Sequence, residues 1–232
     1  MRAIQDLNNY RLLALAVLFF TLLTPKTSWS QEDSTAFKPQ TMIGLQFGMS
    51  WNEVNFSPQV AQQATLLANR FGALFRYTAE PHLGIQLEFA YDQRGWEETR
   101  EGATSNYVRT IDYLELGAFT HISIGSGAVR PAIVLGSYLS YPIAQSETIP
   151  SDATWTDFPQ AYYNVPLPER IQYGLAGGLG FELFFESFSF QVDARYRSAL
   201  GGLFRAGEQD FTFSNSQGLT AQASLLIRLF GG

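Results

Sequence analysis

The sequence predicts an all-β fold, an eight-stranded antiparallel up-and-down transmembrane β-barrel, on three observations. Apolar residues alternate with polar or small ones in eight segments, which is typical of β-strands. Tight turns and long loops alternate between these segments, as they do in bacterial outer-membrane barrels. Aromatic residues make up 15% of the chain while charged residues make up only 16%, which fits strands that mix the two classes residue by residue.

The N-terminus has the layout of a secretory signal peptide. A charged start is followed by an apolar run over residues 12–23, and the small residues Ser28 and Ser30 come after it. The run is shorter than the roughly 20 residues that a membrane-spanning helix needs. We therefore expect a cleaved signal peptide at residues 1–30, a polar tether at 31–40 and the barrel domain at 41–230.

The first four predicted strands each set a bulky apolar face against a face of small or polar residues. In Thr41 to Trp51 most odd-numbered residues are bulky, and in Ala68 to Tyr77 the bulky face is largely aromatic. Leu83 to Asp92 alternates without a break. Tyr107 to Ile124 is longer than the roughly 10 residues that a spanning strand needs. We therefore expect its outward-facing Asp112 to lie above the bilayer or beside a β-bulge.

The last four predicted strands show the same division. Ala132 to Leu139 is short, and its isoleucine and leucines lie opposite Ala132, Val134, Gly136 and Tyr138. Gln172 to Leu183 sets bulky residues against a row of glycines, and Phe188 to Arg197 sets them against aspartate and arginine. Leu219 to Leu229 forms the closing strand, with leucine and isoleucine opposite polar residues. Alternation sustained over eight segments favours strands over helices.

The predicted connections differ in length according to the end of the barrel on which they lie. The tight turns are 79–82, 125–128 and 186–187, and the long loops are 52–67, 96–106, 143–168 and 201–215. Because both termini fall on the side of the tight turns, we expect those turns to be periplasmic and the long loops to be extracellular.

The two strand faces favour a membrane barrel over a soluble one. Eight strands enclose an interior just wide enough for side chains, and small residues with a few charged ones fit it better than eight bulky rows. Tyrosine and tryptophan also recur on the bulky face at the long-loop ends of strands, as expected at a membrane interface. These residues are Trp51, Tyr91, Tyr141, Tyr173 and Tyr196. The alternative is a soluble periplasmic lipocalin-like barrel that binds an apolar ligand, which requires the bulky faces to point inward.

Charged residues on the opposite face should fill the lumen. They are Arg76, Glu88, Asp92, Glu115, His121, Glu182, Asp193, Arg195, Arg197 and Arg228. Because buried charges persist only when they are paired and hydrogen-bonded, we interpret them as a structural charge network. The functional alternative is a small-solute channel lined by the same charges.

The sequence contains no recognisable catalytic, metal or cofactor site. Its two histidines are His82, in a tight turn, and His121, near the periplasmic end, whereas a barrel enzyme needs a base near the outer rim or the lipid face. The absence of cysteine excludes thiolate metal sites. The formal net charge of −6 argues against nucleic acid as a partner. We therefore expect a non-enzymatic protein without a cofactor.

The long loop over residues 143–168 is the best candidate for a binding surface. Its carboxylates lack the spacing of an EF-hand calcium loop. Aromatic residues are concentrated in it, and we expect them to form an extracellular binding loop. They are Trp155, Phe158, Tyr162 and Tyr163.

Several segments resemble the PorT-like outer-membrane β-barrel family of Bacteroidetes over about residues 41–230. Residues 87–95 (LEFAYDQRG) and 112–116 (DYLEL) are similar to its paired third and fourth strands, and residues 173–180, 192–200 and 215–230 are similar to its late and closing strands. The resemblance implies a bacterial outer-membrane location. The family's named member is tied to a protein secretion system, so the resemblance also implies a secretion or envelope protein as a partner.

We accordingly expect a non-enzymatic outer-membrane protein that is structural or accessory to protein secretion or surface binding. Its expected partners are the lipid bilayer, the barrel assembly machinery and an envelope protein.

Overall fold

The computed structural model describes residues 37–58, 62–156, 160, 162–167, 171–204 and 211–230. The predicted signal peptide and residues 31–36 of the predicted tether lie outside these ranges. The described residues form nine strands and one short helix. These elements are β1 (Gln40–Ser57), β2 (Gln62–Ala64), β3 (Leu66–Glu80), β4 (Leu83–Thr99), β5 (Tyr107–Ser123), β6 (Val129–Thr148), α1 (Ala153–Thr156), β7 (Gln172–Phe184), β8 (Phe188–Gly202) and β9 (Phe213–Phe230). In the described part of the chain, no helix has the length and apolar character needed to cross a membrane.

The eight long strands form a closed antiparallel ring. Its order is β4-β3-β1-β9-β8-β7-β6-β5, and β5 pairs with β4 to complete it. The ninth strand, β2, has three residues and pairs with β4 just beyond the end of β3. β2 and β3 therefore follow one path that is interrupted at Thr65, which explains nine strands where the sequence predicts eight.

The register around the ring is staggered by ten residues. From Ile43 of β1, successive partners lead around the ring to Glu53 of the same strand. The partners are Phe75, Leu87, Ala118, Ser137, Leu175, Ser198 and Gln217. Such a stagger requires the strands to tilt relative to the barrel axis. The seam between β1 and β9, the first and last long strands, runs from Thr41 opposite Phe230 to Ser57 opposite Phe213.

The apolar face of the sheet lies outside and the polar face lies inside, the reverse of the arrangement in a soluble barrel. Bulky apolar side chains lie on the outside, with Leu45 exposed by 72% and Leu179 by 67%, while Glu88 and Arg195 are buried inside. This pattern is that of a barrel whose outer face meets lipid. The alternative with an apolar lumen is therefore wrong, because the bulky residues point outward.

The strands extend further than their apolar pattern predicts. β6 continues to Thr148 and β1 continues to Ser57, so the predicted loops 52–67 and 143–168 are partly strand. Asp112 faces outward and pairs with Gln93, which is the next outward-facing residue after Tyr91 on β4. Asp112 also adjoins a β-bulge in the pairing of β5 with β6. The β-bulge, one of the two expected explanations for this outward carboxylate, is therefore present.

Candidate functional site

The interior near the tight turns is built around one buried ion pair. Arg76 donates to Glu182 at 2.5 Å and to Gln86 Oε1 at 2.9 and 2.7 Å, and it also contacts Gln191. Glu182 also accepts a hydrogen bond from Ser189 at 2.6 Å. Antiparallel pairing brings these side chains together because β3, β4, β7 and β8 all turn them inward.

The next layer of the interior links four charged side chains across the barrel. Glu88 accepts hydrogen bonds from Arg70 at 3.2 Å and from Arg195 at 2.7 Å. Arg195 also pairs with Asp193 at 2.6 Å. Gln86 donates to Glu88 at 2.6 Å, which connects this layer to the one below. The charged side chains thus belong to one continuous network.

Glu115 is the centre of the upper layer. One carboxylate oxygen accepts from Arg70 at 2.8 Å, and the other accepts from Arg94, Arg197 and the Ser140 hydroxyl. Asp92 pairs with Arg94 at 2.5 Å and lies 3.5 Å from Arg70 and 3.6 Å from Arg197.

The network is balanced in charge. It contains five carboxylates, Glu88, Asp92, Glu115, Glu182 and Asp193, and five arginines, Arg70, Arg76, Arg94, Arg195 and Arg197. Each of these groups is within reach of at least one of opposite sign, which is the condition under which buried charges persist.

Two members of this network were missed in the sequence and one predicted member lies apart. Arg70 and Arg94 lie an even number of residues from Arg76 and Asp92 on the same strands, so their side chains face inward as well. Following the alternation to these two positions would have identified them. His121 is buried, and its Nε2 lies 3.3 Å from Glu182. Arg228 is only half-buried and pairs with none of the carboxylates in the described residues.

The interior changes from charged to aromatic at the long-loop end of the barrel. The inward residues of the strand extensions join residues from two loops in one buried cluster. Its members are Val54, Phe56, Trp96, Tyr107, Ile111, Tyr113, Trp155, Tyr162, Tyr163, Leu167, Leu203, Phe204 and Phe211. Their rings stack at centroid distances from 4.5 Å, as between Tyr107 and Tyr163. Because the outside of these extensions faces water, the inside can be apolar as in a soluble barrel.

The predicted binding-loop residues lie within this cluster. Trp155, Tyr162 and Tyr163 are exposed by only 1%, 2% and 8%, so their rings lie in the interior instead of on the loop surface. Phe158 lies outside the described residues. These loop residues are buried by contacts with strand residues that are distant in sequence. Periodicity is a local pattern and gives no signal of such contacts.

A buried carboxylate organises the aromatic cluster. Glu98 accepts hydrogen bonds from Trp96 Nε1 and the Tyr162 hydroxyl at 2.7 Å each, and from the Tyr163 hydroxyl at 3.1 Å. Burial raises the pKa of Glu98 above its usual value, since desolvation disfavours the charged form. The same burial raises the pKa of the Tyr162 hydroxyl.

Arg109 and Glu147 hold the long loop in place. Arg109 donates to the carbonyl oxygens of Tyr162 at 3.2 Å and Val165 at 2.6 Å. Glu147 accepts from the Tyr107 hydroxyl at 2.7 Å and from the Asn164 backbone amide at 3.1 Å. The loop is thereby fixed over the mouth of the barrel.

Both histidines lie at the end of the barrel that carries the tight turns. No group of three or more histidine, aspartate or glutamate side chains among them is arranged to hold a metal ion. His82 is exposed in the turn between β3 and β4, and His121 lies at the same end of the barrel, away from the long loops. The arrangement as a whole fills the barrel and rigidifies it.

The chain matches one family of known proteins and is similar to several solved structures. Residues 29–205 match the family described as outer membrane protein beta-barrel domain, and no curated protein matches the chain. Among solved structures, Ail, the attachment invasion locus protein of Yersinia pestis, is 13% identical, with 81% of this chain and 99% of that chain covered and a TM-score of 0.41. Neisserial surface protein A is 10% identical, with coverage of 79% and 96% and a TM-score of 0.43. Outer membrane protein W of E. coli is 14% identical, with coverage of 80% and 97% and a TM-score of 0.37.

Proposed function

Because the chain belongs to the outer membrane protein beta-barrel domain family, we propose that it is a non-enzymatic outer-membrane protein whose closed barrel displays a rigid extracellular end. The observation that carries this proposal is the continuous filling of the interior. Polar contacts lead from Glu182 through Arg76, Gln86 and Glu88 to Arg70 and Glu115. The aromatic cluster lies beyond them.

The filled interior favours this function over a small-solute channel. A channel requires mobile water or ions along its axis, whereas the arginines here are held by carboxylates and by aromatic rings. Arg94 lies 5.0 Å from the ring centroid of Tyr113 and 4.9 Å from that of Tyr138, and Arg197 lies 4.3 Å from that of Tyr138. Such cation–π contacts add to the ion pairs in fixing the side chains.

Single-channel recording on the protein refolded into planar bilayers tests the proposal. We expect no steady unitary current from the wild type, from Arg195→Gln, or from the exposed control Glu53→Gln. A steady current in the wild type that Arg195→Gln changes and Glu53→Gln does not would overturn the closed-lumen function and establish a charge-lined channel.

The extracellular end is the part through which such a barrel would act. The strand extensions and the long loop give this end a folded core of its own. A partner would therefore meet a preformed surface, and less conformational entropy would be lost on binding. We further propose the PorT-like assignment and an accessory role in secretion or surface binding, supported by the similar segments 87–95 and 112–116. Deleting the gene and comparing the secreted proteins tests the secretion role, and an unchanged set would count against it.

A further inference from the structure

A small polar cavity opens at the tight-turn end of the barrel, below the charge network. Its volume is about 100 Å³, and its polar lining comprises Arg76, Arg130, Arg228, His121, Thr78, Ser123 and Gln40. A volume of this size holds about three waters or one small oxyanion. The cavity opens at the end that carries the tight turns, which the connection lengths predict to be periplasmic.

The charges in this cavity are unbalanced, in contrast to the network above it. Three arginines line it, and the carboxylate in contact with them is Glu182, which pairs with Arg76 at 2.5 Å. Within the described residues, neither Arg130 nor Arg228 has a carboxylate oxygen within 4.0 Å, and Glu80 and Glu186 in the neighbouring turns form no ion pair with them. The described residues at the cavity thus carry two positive charges in excess.

Among the described residues, buried polar atoms at the cavity lack partners. The Nε of Arg228 is buried and makes no hydrogen bond within this part of the chain. His121 is exposed by only 3% and lines the cavity, and its Nε2 lies 3.3 Å from Glu182 without hydrogen-bonding geometry. A buried donor without a partner costs stability, so a ligand that accepts hydrogen bonds here would be stabilising.

Arg130 is also held in position before any ligand arrives. Arg130 stacks over the Phe184 ring at 4.1 Å, and its Nε donates to the Gly127 carbonyl oxygen at 2.9 Å. Its terminal nitrogens form no hydrogen bond or ion pair with the described residues. Two hydroxyl side chains on the lining, Thr78 and Ser123, add potential donors.

We propose that this cavity binds a phosphate group from the periplasmic side. Guanidinium groups match phosphate oxygens in geometry, and two excess positive charges match the roughly −1.5 to −2 charge of a phosphate monoester near pH 7. The phosphate is either free inorganic phosphate or the headgroup of an inner-leaflet lipid. This inference does not depend on the closed lumen or on any extracellular function.

Titration of the full chain in a phosphate-free maltoside detergent tests the proposal. Inorganic phosphate and short-chain phosphatidic acid are each followed by calorimetry and by the ³¹P resonance. We expect at least one to bind, with affinity at least about tenfold lower in Arg228→Gln and Arg130→Gln, because hydrogen bonds to charged groups have this magnitude. Lys38→Gln removes an exposed charge at the same end and should leave the affinity unchanged.

The two titrants distinguish the sources of the phosphate. Binding of inorganic phosphate supports a site for the free ion, and binding of phosphatidic acid alone supports a lipid headgroup site. If neither titrant binds, or if Lys38→Gln weakens binding as much as Arg228→Gln does, the proposal is overturned. A mobility shift on gels run with and without boiling verifies that each variant is folded.

Discussion

Glu115 is the position at which the role of the interior ion pairs is most directly tested. It is buried and accepts hydrogen bonds from three arginines and Ser140. Glu115→Gln keeps the shape of the side chain and removes its charge, so that five arginines would face four carboxylates. Breaking a buried ion pair by removing one partner costs about 3–5 kcal/mol. We expect the free energy of unfolding to fall by this amount.

The assay is urea unfolding of the protein in lipid vesicles, followed by tryptophan fluorescence and by gel mobility. The matched control is Glu53→Gln, which removes an exposed carboxylate that accepts a hydrogen bond from Thr65 at 3.0 Å. It should change stability far less, because exposed charges are screened by solvent. If Glu115→Gln behaves like Glu53→Gln, the ion pairs do not hold the interior and the reasoning fails.

A double variant separates charge from packing. Glu115→Gln with Arg197→Gln restores the balance at four arginines and four carboxylates. Since the two residues are in direct contact, the double variant should lose less stability than the sum of the single losses. Strictly additive losses would indicate that shape, not charge, sets the cost.

Two further predictions concern other parts of the barrel. Because burial raises the pKa of Glu98, its contribution to stability is complete below the pKa of the unfolded chain, near 4.5, and is lost as pH rises through the folded pKa. Glu98→Gln should therefore gain unfolding free energy relative to the wild type as pH rises above 4.5, and a difference that stays constant as pH rises would contradict this. Gly178→Ala should lower the yield of refolded barrel on gels, since a Cβ there would collide with the Ala194 carbonyl oxygen, at a cost of about 1–3 kcal/mol. Gly127→Ala is the control, because the nearest atom to its added Cβ is 3.8 Å away, and equal yields from the two variants would count against this argument.

The sequence predicts the part of the barrel that meets lipid, and the physical reason is the two-residue period of a strand. A side chain that faces lipid must be apolar, so the parity of Leu87 and Phe89 also assigns Glu88 to the interior. Above the bilayer this constraint ends. There the outward-facing residues, such as Gln93, are polar and the inward-facing residues, such as Trp96, are apolar. The alternation is therefore inverted, and in the sequence the ends of the strands resemble loops.

The burial of the long loop could not be predicted in the same way. Trp155 stacks with Tyr107 at 6.3 Å and lies under Arg100 at 4.5 Å. These contacts join residues about 50 positions apart in the chain, and no local periodicity records them. An aromatic loop that folds inward and one that projects outward therefore have the same composition.

The seam between β1 and β9 bears on how the barrel enters the membrane. Until β9 has paired with them, β1 and β8 each present a row of backbone amide and carbonyl groups without partners. Hydrocarbon cannot solvate these polar groups. A chain truncated before β9 would therefore have two open edges and no stable place in the bilayer. β9 follows the other described strands in the chain, so translation provides the strand that closes the ring only after those strands have been made.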